Sequence, residues 1–237
     1  MIAEPTEAFP HLPPSEDIRE RYAFFFREAL QVDRWSKNLF DRSIGAVALI
    51  AALPAALVIL MAHIVLSTLL ESERGPILVG YDAVSQGRVF RKLKFRVVRQ
   101  SHVDSLAAAA GDWRAYAGEW NPNCRSLLGC FLKQFYLDEL PQLFNIALGQ
   151  MSFVGPRPLA VDHYHRDLRQ GNVHRKLLKA GLFGPSQALK GTTKYGAQDE
   201  EYKYLHAVAQ MSAVGLLCYD IKLILRGLVT VAEGKGL

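Results

Sequence analysis

From Ile44 to Leu70 the chain runs 27 residues without an aspartate, glutamate, lysine or arginine. About 20 apolar residues cross the hydrocarbon core of a bilayer, so this stretch is long enough to enter one. A helix this long and this uniformly apolar is rare inside a water-soluble domain. Pro54 stands ten residues in, after Leu53. Ten helical residues rise about 15 Å, roughly half the hydrocarbon thickness. A proline at that depth removes one backbone donor and crowds the preceding turn, which bends the helix. Two topologies fit: a spanning helix, and a re-entrant hairpin that leaves by the face it entered. The flanking charges (Lys37 and Arg42 before, Glu71, Glu73 and Arg74 after) do not choose between them.

Half of the 237 residues are apolar and the formal charge is +5, which favours an anionic partner. No basic run with interleaved aromatics and no known binding module is present, so nucleic acid is not expected. Anionic lipid headgroups and a nucleotide diphosphate suit the charge. Cys124, Cys130 and Cys218 form no metal-ligand pattern, and their odd count fits a reducing compartment. Residues 1–14 read as a mobile arm, with no basic stretch leading into an apolar core and therefore no signal peptide. Over 15–40, Tyr22, Phe25, Phe26, Leu30 and Trp35 alternate with Arg19, Arg21, Arg27, Arg34 and Lys37. That pattern suits an interfacial amphipathic helix, and equally a surface helix packed on the protein's own core.

Turn signals at Gly75-Pro76 and Ser85-Gln86-Gly87 flank Ile77–Val79 and Val89–Leu93, which read as a small β-hairpin. Lys94, Arg96 and Arg99 then form a basic patch, either solvated or able to clamp anionic oxygens. Ser101–Ala117 reads as helix or helix-loop, and Asn121-Pro122-Asn123 breaks the chain before a helix over Leu127–Phe135.

That helix delivers Leu137-Asp138-Glu139-Leu140-Pro141-Gln142-Leu143. Proline is tolerated in a first turn, so a helix is expected to start at Asp138 as N-cap and to end at Gly149. Leu140, Leu143, Phe144 and Ala147 would share its buried face. Two adjacent carboxylates suit attack on phosphorus by one and metal binding by the other. The plainer alternative is a cap followed by a solvated acid. Val154-Gly155-Pro156-Arg157-Pro158 reads as a rigid loop whose prolines fix the approach of Arg157 to a phosphate. His163, His165 and His174 read as surface or packing residues, Lys179–Gly191 as a loop, and Glu200–Val231 as helical, against core or lipid.

Leu-Asp-Glu-Leu-Pro-Gln followed by Met151-Ser152-Phe153-Val154-Gly155-Pro156-Arg157-Pro158, with Glu139 and Met151 12 positions apart, resembles the bacterial sugar transferases. These are monotopic polyprenyl-phosphate phosphoglycosyl transferases that begin exopolysaccharide and other glycan assembly. The resemblance runs from about Lys37 to Leu237 and takes in Phe40-Asp41, Gly75-Pro76, Lys94-Phe95-Arg96, Gly181-x-x-Gly184-x-x-Gln187 and Gly234-Lys235-Gly236. It implies transfer of sugar 1-phosphate from a UDP-sugar to undecaprenyl phosphate, giving polyprenyl diphosphate sugar and UMP. Asp138 maps onto the nucleophile that becomes an aspartyl phospho-sugar, and Glu139 onto the acid that holds Mg²⁺. Arg157, Lys94, Arg96 and Gln187 become the substrate-binding candidates. The fold implied is α+β and helix-rich: a re-entrant membrane hairpin over 41–71, interfacial amphipathic helices, and a catalytic domain over 72–237 with the small β-hairpin. Its setting would be the cytoplasmic face of the bacterial inner membrane, in contact with lipid, and a homodimer is allowed.

Several positions depart from the family pattern. Leu53 precedes the hairpin proline in place of Ser, Val97-Val98 follow Lys-Phe-Arg, and Leu127, Phe135, Tyr136 and Ala180 replace the usual types. The same holds for Val79–Ser85. These changes bear on donor specificity and phosphate placement more than on the chemistry. The competing reading is a degenerate, non-catalytic partner in a glycan assembly complex.

Overall fold

The computed structural model describes residues 12–27, 32, 34–114, 116–119, 121–189, 193 and 196–232. Most of the expected arm over 1–14 and the terminal Gly234–Gly236 motif lie outside the described residues.

The turn signals and alternating runs yield the expected hairpin. β1 (Leu78–Ser85) pairs antiparallel with β2 (Arg88–Phe95), in register from Leu78 opposite Phe95 to Ser85 opposite Arg88. Gln86 and Gly87 connect them with φ of 50° and 74°. Positive φ at both positions matches the twist of the flanking strands. Glycine takes that conformation freely, and the Gln86 amide is fixed by donating to Val32 O and Leu177 O, each at 3.1 Å. β3 (Ser152–Val154) and β4 (Leu159–Ala160) follow; β4 extends the first sheet to the order β2-β1-β4. β5 (Gly181–Phe183) pairs in parallel with β3, so part of 179–191, expected as loop, is strand.

Helices α1 (Glu16–Arg21) and α2 (Ala23–Arg27) do not form one interfacial helix. Ile18, Tyr22 and Phe25 are buried in the main core, and Tyr22 and Phe26 stack on Tyr202 at ring distances of 5.8 and 5.5 Å. The aromatic face over 15–27 is covered by the protein itself.

The apolar segment lies in α3 (Trp35–Leu69), one helix that continues through Pro54 without a dividing turn. Only 11% of its most apolar stretch is buried. The buried side is a narrow stripe at helical spacing. Ala48, Leu49 and Ala52 join the main core, and Ala56, Ile59, Ala62 and Leu66 join a smaller one with Phe95, Val97, Leu128 and Leu132. Polar groups tie down both ends. Near the start, Asp41 accepts from Ser152 Oγ at 2.7 Å; near the end, His63 Nε2 lies 3.0 Å from Gly75 O.

After β2, Ser101–Ala117 contains a short helix, α4 (Ser105–Ala109), capped by Asp104. α5 (Leu127–Gln134) follows the Asn121–Asn123 break, as the sequence predicts. Its start is held twice. Ser126 caps Gly129 N, and the buried Glu73 carboxylate accepts from Leu127 N at 2.6 Å. A Cβ on Gly129 would lie 1.9 Å from Val97 O, so α5 packs directly on backbone. Gly129→Ala should therefore destabilise the fold by about 3 kcal/mol, the upper range for overpacking. Thermal unfolding in nanodiscs measures this, and an unchanged midpoint would mean that α5 shifts freely.

α6 (Gln142–Ala147) ends at Leu148 and Gly149 (φ 77°) as expected. Its buried residues are Gln142, Leu143, Asn145 and Ile146, whereas Phe144 is exposed. The expected face containing Phe144 and Ala147 is thus rotated. α7 (Val161–Arg169), α8 (His174–Leu177), α9 (Gln198–Gln210) and α10 (Ala213–Ala232) complete the chain.

Candidate active site

Tyr136 sets the geometry of the central motif. It has φ 54°, a left-handed conformation unusual for a bulky residue. Such a residue ends α5 and reverses the chain into a 3-10 turn, Leu137–Glu139. Pro141 has no N–H to bond back into that turn, so the α-helix proper begins only at Gln142. Asp138 is therefore not the N-cap of α6, as the sequence suggested. Both carboxylates lie in the 3-10 turn and are buried, Asp138 at 1% exposure.

Each carboxylate has its own cation. Lys133, near the end of α5, places Nζ 3.4 Å from Asp138 Oδ2. Arg157 places Nη2 2.9 Å from Glu139 Oε1. Burial raises the Glu139 carboxyl, but Arg157, then Lys92, Lys133 and Lys94, more than offset this and hold it at about 2. A depressed carboxyl stabilises the fold fully above its unfolded value of 4.5, and that contribution is lost as pH falls through about 2. Glu139 in turn pushes the Arg157 guanidinium up, against burial. Pro156 O accepts from Gly181 N at 2.9 Å and Arg157 O from Arg175 Nε at 3.4 Å, which fixes the loop that presents Arg157.

β2 contributes the remaining cations. Lys92 and Lys94 alternate onto one buried face. Lys92 Nζ lies 5.7 Å from the Tyr81 ring centre, and Lys94 Nζ contacts Glu119 Oε1. Glu119, at the end of a 3-10 turn (Tyr116–Glu119), also reaches Lys133, with Oε2 3.4 Å from Nζ. Burial, then Lys133, pushes the Lys94 ammonium well below the usual lysine range, and the Asp138 and Glu139 carboxylates oppose that shift.

Four of the residues singled out from sequence thus come together: Asp138, Glu139, Arg157 and Lys94. Arg96 does not join them. Its guanidinium donates to the carbonyls of Pro76, Val98, Glu73 and Arg74 at 2.8–2.9 Å, which occupies four of its five N–H groups. It clasps the chain leaving α3. Gln187 begins a 3-10 turn (Gln187–Leu189), and its side chain lies outside what the structure describes.

Lys92, Lys133 and Glu119 were not picked out from the sequence. Strand alternation with Lys94 is the signal that could have found Lys92. Nothing local marks Lys133 or Glu119, because the reversal at Tyr136 and the packing of α5 on β2 create their contacts.

Asp138 Oδ1 and both amide atoms of Gln142 are buried without a hydrogen-bond partner among the described residues. Buried polar atoms in folded proteins are normally bonded, so these three are placed to receive a polar ligand. No cluster of three or more histidine, cysteine or acidic ligands stands among the described residues.

The family model for bacterial sugar transferases matches residues 32–234. The chain is 36% identical over 135 residues to the exopolysaccharide production protein ExoY of Sinorhizobium fredii, covering 54% of this chain and 57% of that one. It is 34% identical over 156 residues to a UDP-glucose:undecaprenyl-phosphate glucose-1-phosphate transferase of Klebsiella pneumoniae, covering 64% and 30%. Over 201 residues it is 28% identical to a UDP-N-acetylgalactosamine-undecaprenyl-phosphate N-acetylgalactosaminephosphotransferase of Aeromonas hydrophila, covering 82% and 44%. The matched stretches thus span little more than half of these relatives, or less.

Proposed function

Because the chain belongs to the bacterial sugar transferase family, we propose that it transfers sugar 1-phosphate from a UDP-sugar to undecaprenyl phosphate through Asp138. The observation that carries this reading is the unequal pairing of two adjacent buried carboxylates. Arg157 holds Glu139 at 2.9 Å, whereas Lys133 stands 3.4 Å from Asp138, whose other oxygen is buried without a hydrogen-bond partner among the described residues. A carboxylate oxygen that is positioned yet unengaged is what a nucleophile requires. It attacks the sugar-bearing phosphorus, and the bond to the nucleoside monophosphate breaks with its electron pair on the departing phosphate oxygen. An oxygen of the lipid phosphate then attacks the same phosphorus and expels Asp138. The lipid phosphate is already anionic, so the second step needs no strong base.

The residues fit Mg²⁺, which binds through one or two carboxylates plus substrate phosphates and retains waters. Glu139, with Oε2 outside the Arg157 contact, would hold it, and the ion would neutralise charge on the diphosphate. Lys92, Lys94 and Lys133 add positive potential in a desolvated site, where it acts strongly on phosphate.

The contacts of α3 favour a one-sided membrane seat. A polar domain touches the helix near both ends, at Asp41 and at His63, which a spanning helix would place on opposite faces. We therefore read α3 as seated in the membrane from the cytoplasmic side, with both ends held on that face. Single cysteines at Ser15 and Gly87, in a background without native thiols, should both resist an impermeant thiol reagent in intact cells and react after permeabilisation. Labelling of one of them in intact cells would mean that α3 spans.

The function is tested by screening UDP-sugars for UMP release with undecaprenyl phosphate and Mg²⁺. Turnover with one donor is expected. Failure of every donor in a folded preparation would favour the non-catalytic reading.

A further inference from the structure

One buried contact in the site has no part in the chemistry above. The Glu119 carboxylate bridges Lys94 and Lys133. Lys133 is at the same time the cation on Asp138. A carboxylate spanning two buried ammonium groups beside the nucleophile occupies the kind of place that a pair of phosphate oxygens would take. We propose that Lys94 and Lys133 form the subsite for the donor's departing phosphate, and that Glu119 is its counter-ion in the free enzyme, displaced when the diphosphate enters. The identity of that phosphate rests on the function proposed above; the anion subsite itself rests on the side chains.

Three observations support displacement. The first is charge. Among the described residues, the basic Lys92, Lys94, Lys133 and Arg157 face the carboxylates of Asp138, Glu139 and Glu119. Moving the Glu119 carboxylate away removes one negative charge from beside these cations, which favours an entering anion in its place. The second is position. Lys133 touches Asp138 through Oδ2 and also touches Glu119, so an oxygen in the place of Glu119 lies across one ammonium from the carboxylate whose other oxygen, Oδ1, attacks. The departing phosphate gains negative charge there as its bond to the sugar-bearing phosphorus breaks. The third is access. The Glu119 side chain is 15% exposed, against 2% for Lys133, so the carboxylate is the more solvent-accessible partner and the cation stays behind.

The test is calorimetric binding of inorganic pyrophosphate and of UDP to the full chain in nanodiscs, without added metal, for wild type and Glu119→Gln. Removing one close competing charge should tighten pyrophosphate binding by about tenfold. UDP should follow, and Lys133→Met should abolish the gain. Glu119→Asp keeps the charge but shortens its reach, so a smaller gain is expected; it serves if Glu119→Gln does not fold. If pyrophosphate binds to folded variants as it does to wild type, or more weakly, Glu119 is a permanent brace for the lysines and the proposal falls. If that is the outcome while UDP binds normally, the transferase reading stands without this subsite. A pyrophosphate gain with no UDP binding to any form supports the anion subsite and tells against the nucleotide donor.

Discussion

Asp138→Asn is expected to leave a folded protein whose sugar-phosphate transfer is indistinguishable from background. The substitution preserves size and removes the carboxylate charge that makes the buried, unpartnered oxygen nucleophilic. It also leaves Lys133 facing an amide, although Glu119 still supplies a counter-charge at 3.4 Å. Folding should therefore survive where chemistry does not. UMP release in nanodiscs, alongside an unfolding curve, separates the two effects. A loss smaller than about tenfold would be too little for a group that forms the bond to phosphorus.

Lys37→Met should have the largest effect on stability. Lys37 Nζ lies 2.6 Å from Asp220 Oδ2 and 3.3 Å from Asp41 Oδ2, and both carboxylates are buried. Tyr204 donates to Asp220 Oδ1 at 2.7 Å, and Ser152 donates to Asp41. One ammonium thus joins α3 and α10, and the two carboxylates extend the connection to α9 and β3. Removing it strands two buried negative charges, which should cost about 3–5 kcal/mol. Burial already raises the Asp220 carboxyl, and Lys37 opposes that shift. Without the lysine the carboxyl rises further, so the mutant regains stability as acid protonates it and its deficit narrows below neutrality. Thermal midpoints at pH 7.5 and pH 5 measure both parts. A loss below about 1 kcal/mol, typical of an exposed pair, would show that water reaches the cluster.

The parts of the fold that local chemistry specifies were readable from the sequence. Gln86-Gly87 between alternating runs dictates a two-residue hairpin, and prolines on both sides of Arg157 dictate a fixed loop. Two readings that the sequence left open share a cause. Period alone says which residues line one face but not what covers that face. Tyr22, Phe25 and Phe26 therefore suited an interface and a core equally, and the core is what they meet, with Tyr202 of α9 against Tyr22 and Phe26. In the same way, Arg96 continues the spacing of Lys92 and Lys94 but meets four carbonyl oxygens at the end of the strand. The start of α6 was placed at Asp138 because proline suits a first turn, yet the left-handed Tyr136 made that turn 3-10. Asp138, Glu139 and Arg157 were legible as a set through the family resemblance. Lys133 and Glu119 were not, since only tertiary packing brings them beside Asp138.

The proposed transfer passes through a covalent step at Asp138, and mass analysis of the denatured protein after exposure to donor alone addresses that step directly. The preparation must be free of carry-over lipid phosphate. A sugar phosphate adduct on the peptide containing Asp138, absent from Asp138→Asn, is the predicted result, together with exchange of labelled UMP into UDP-sugar before any acceptor is added. An active, acceptor-free preparation with neither adduct nor exchange would contradict the account and point to direct attack by the lipid phosphate.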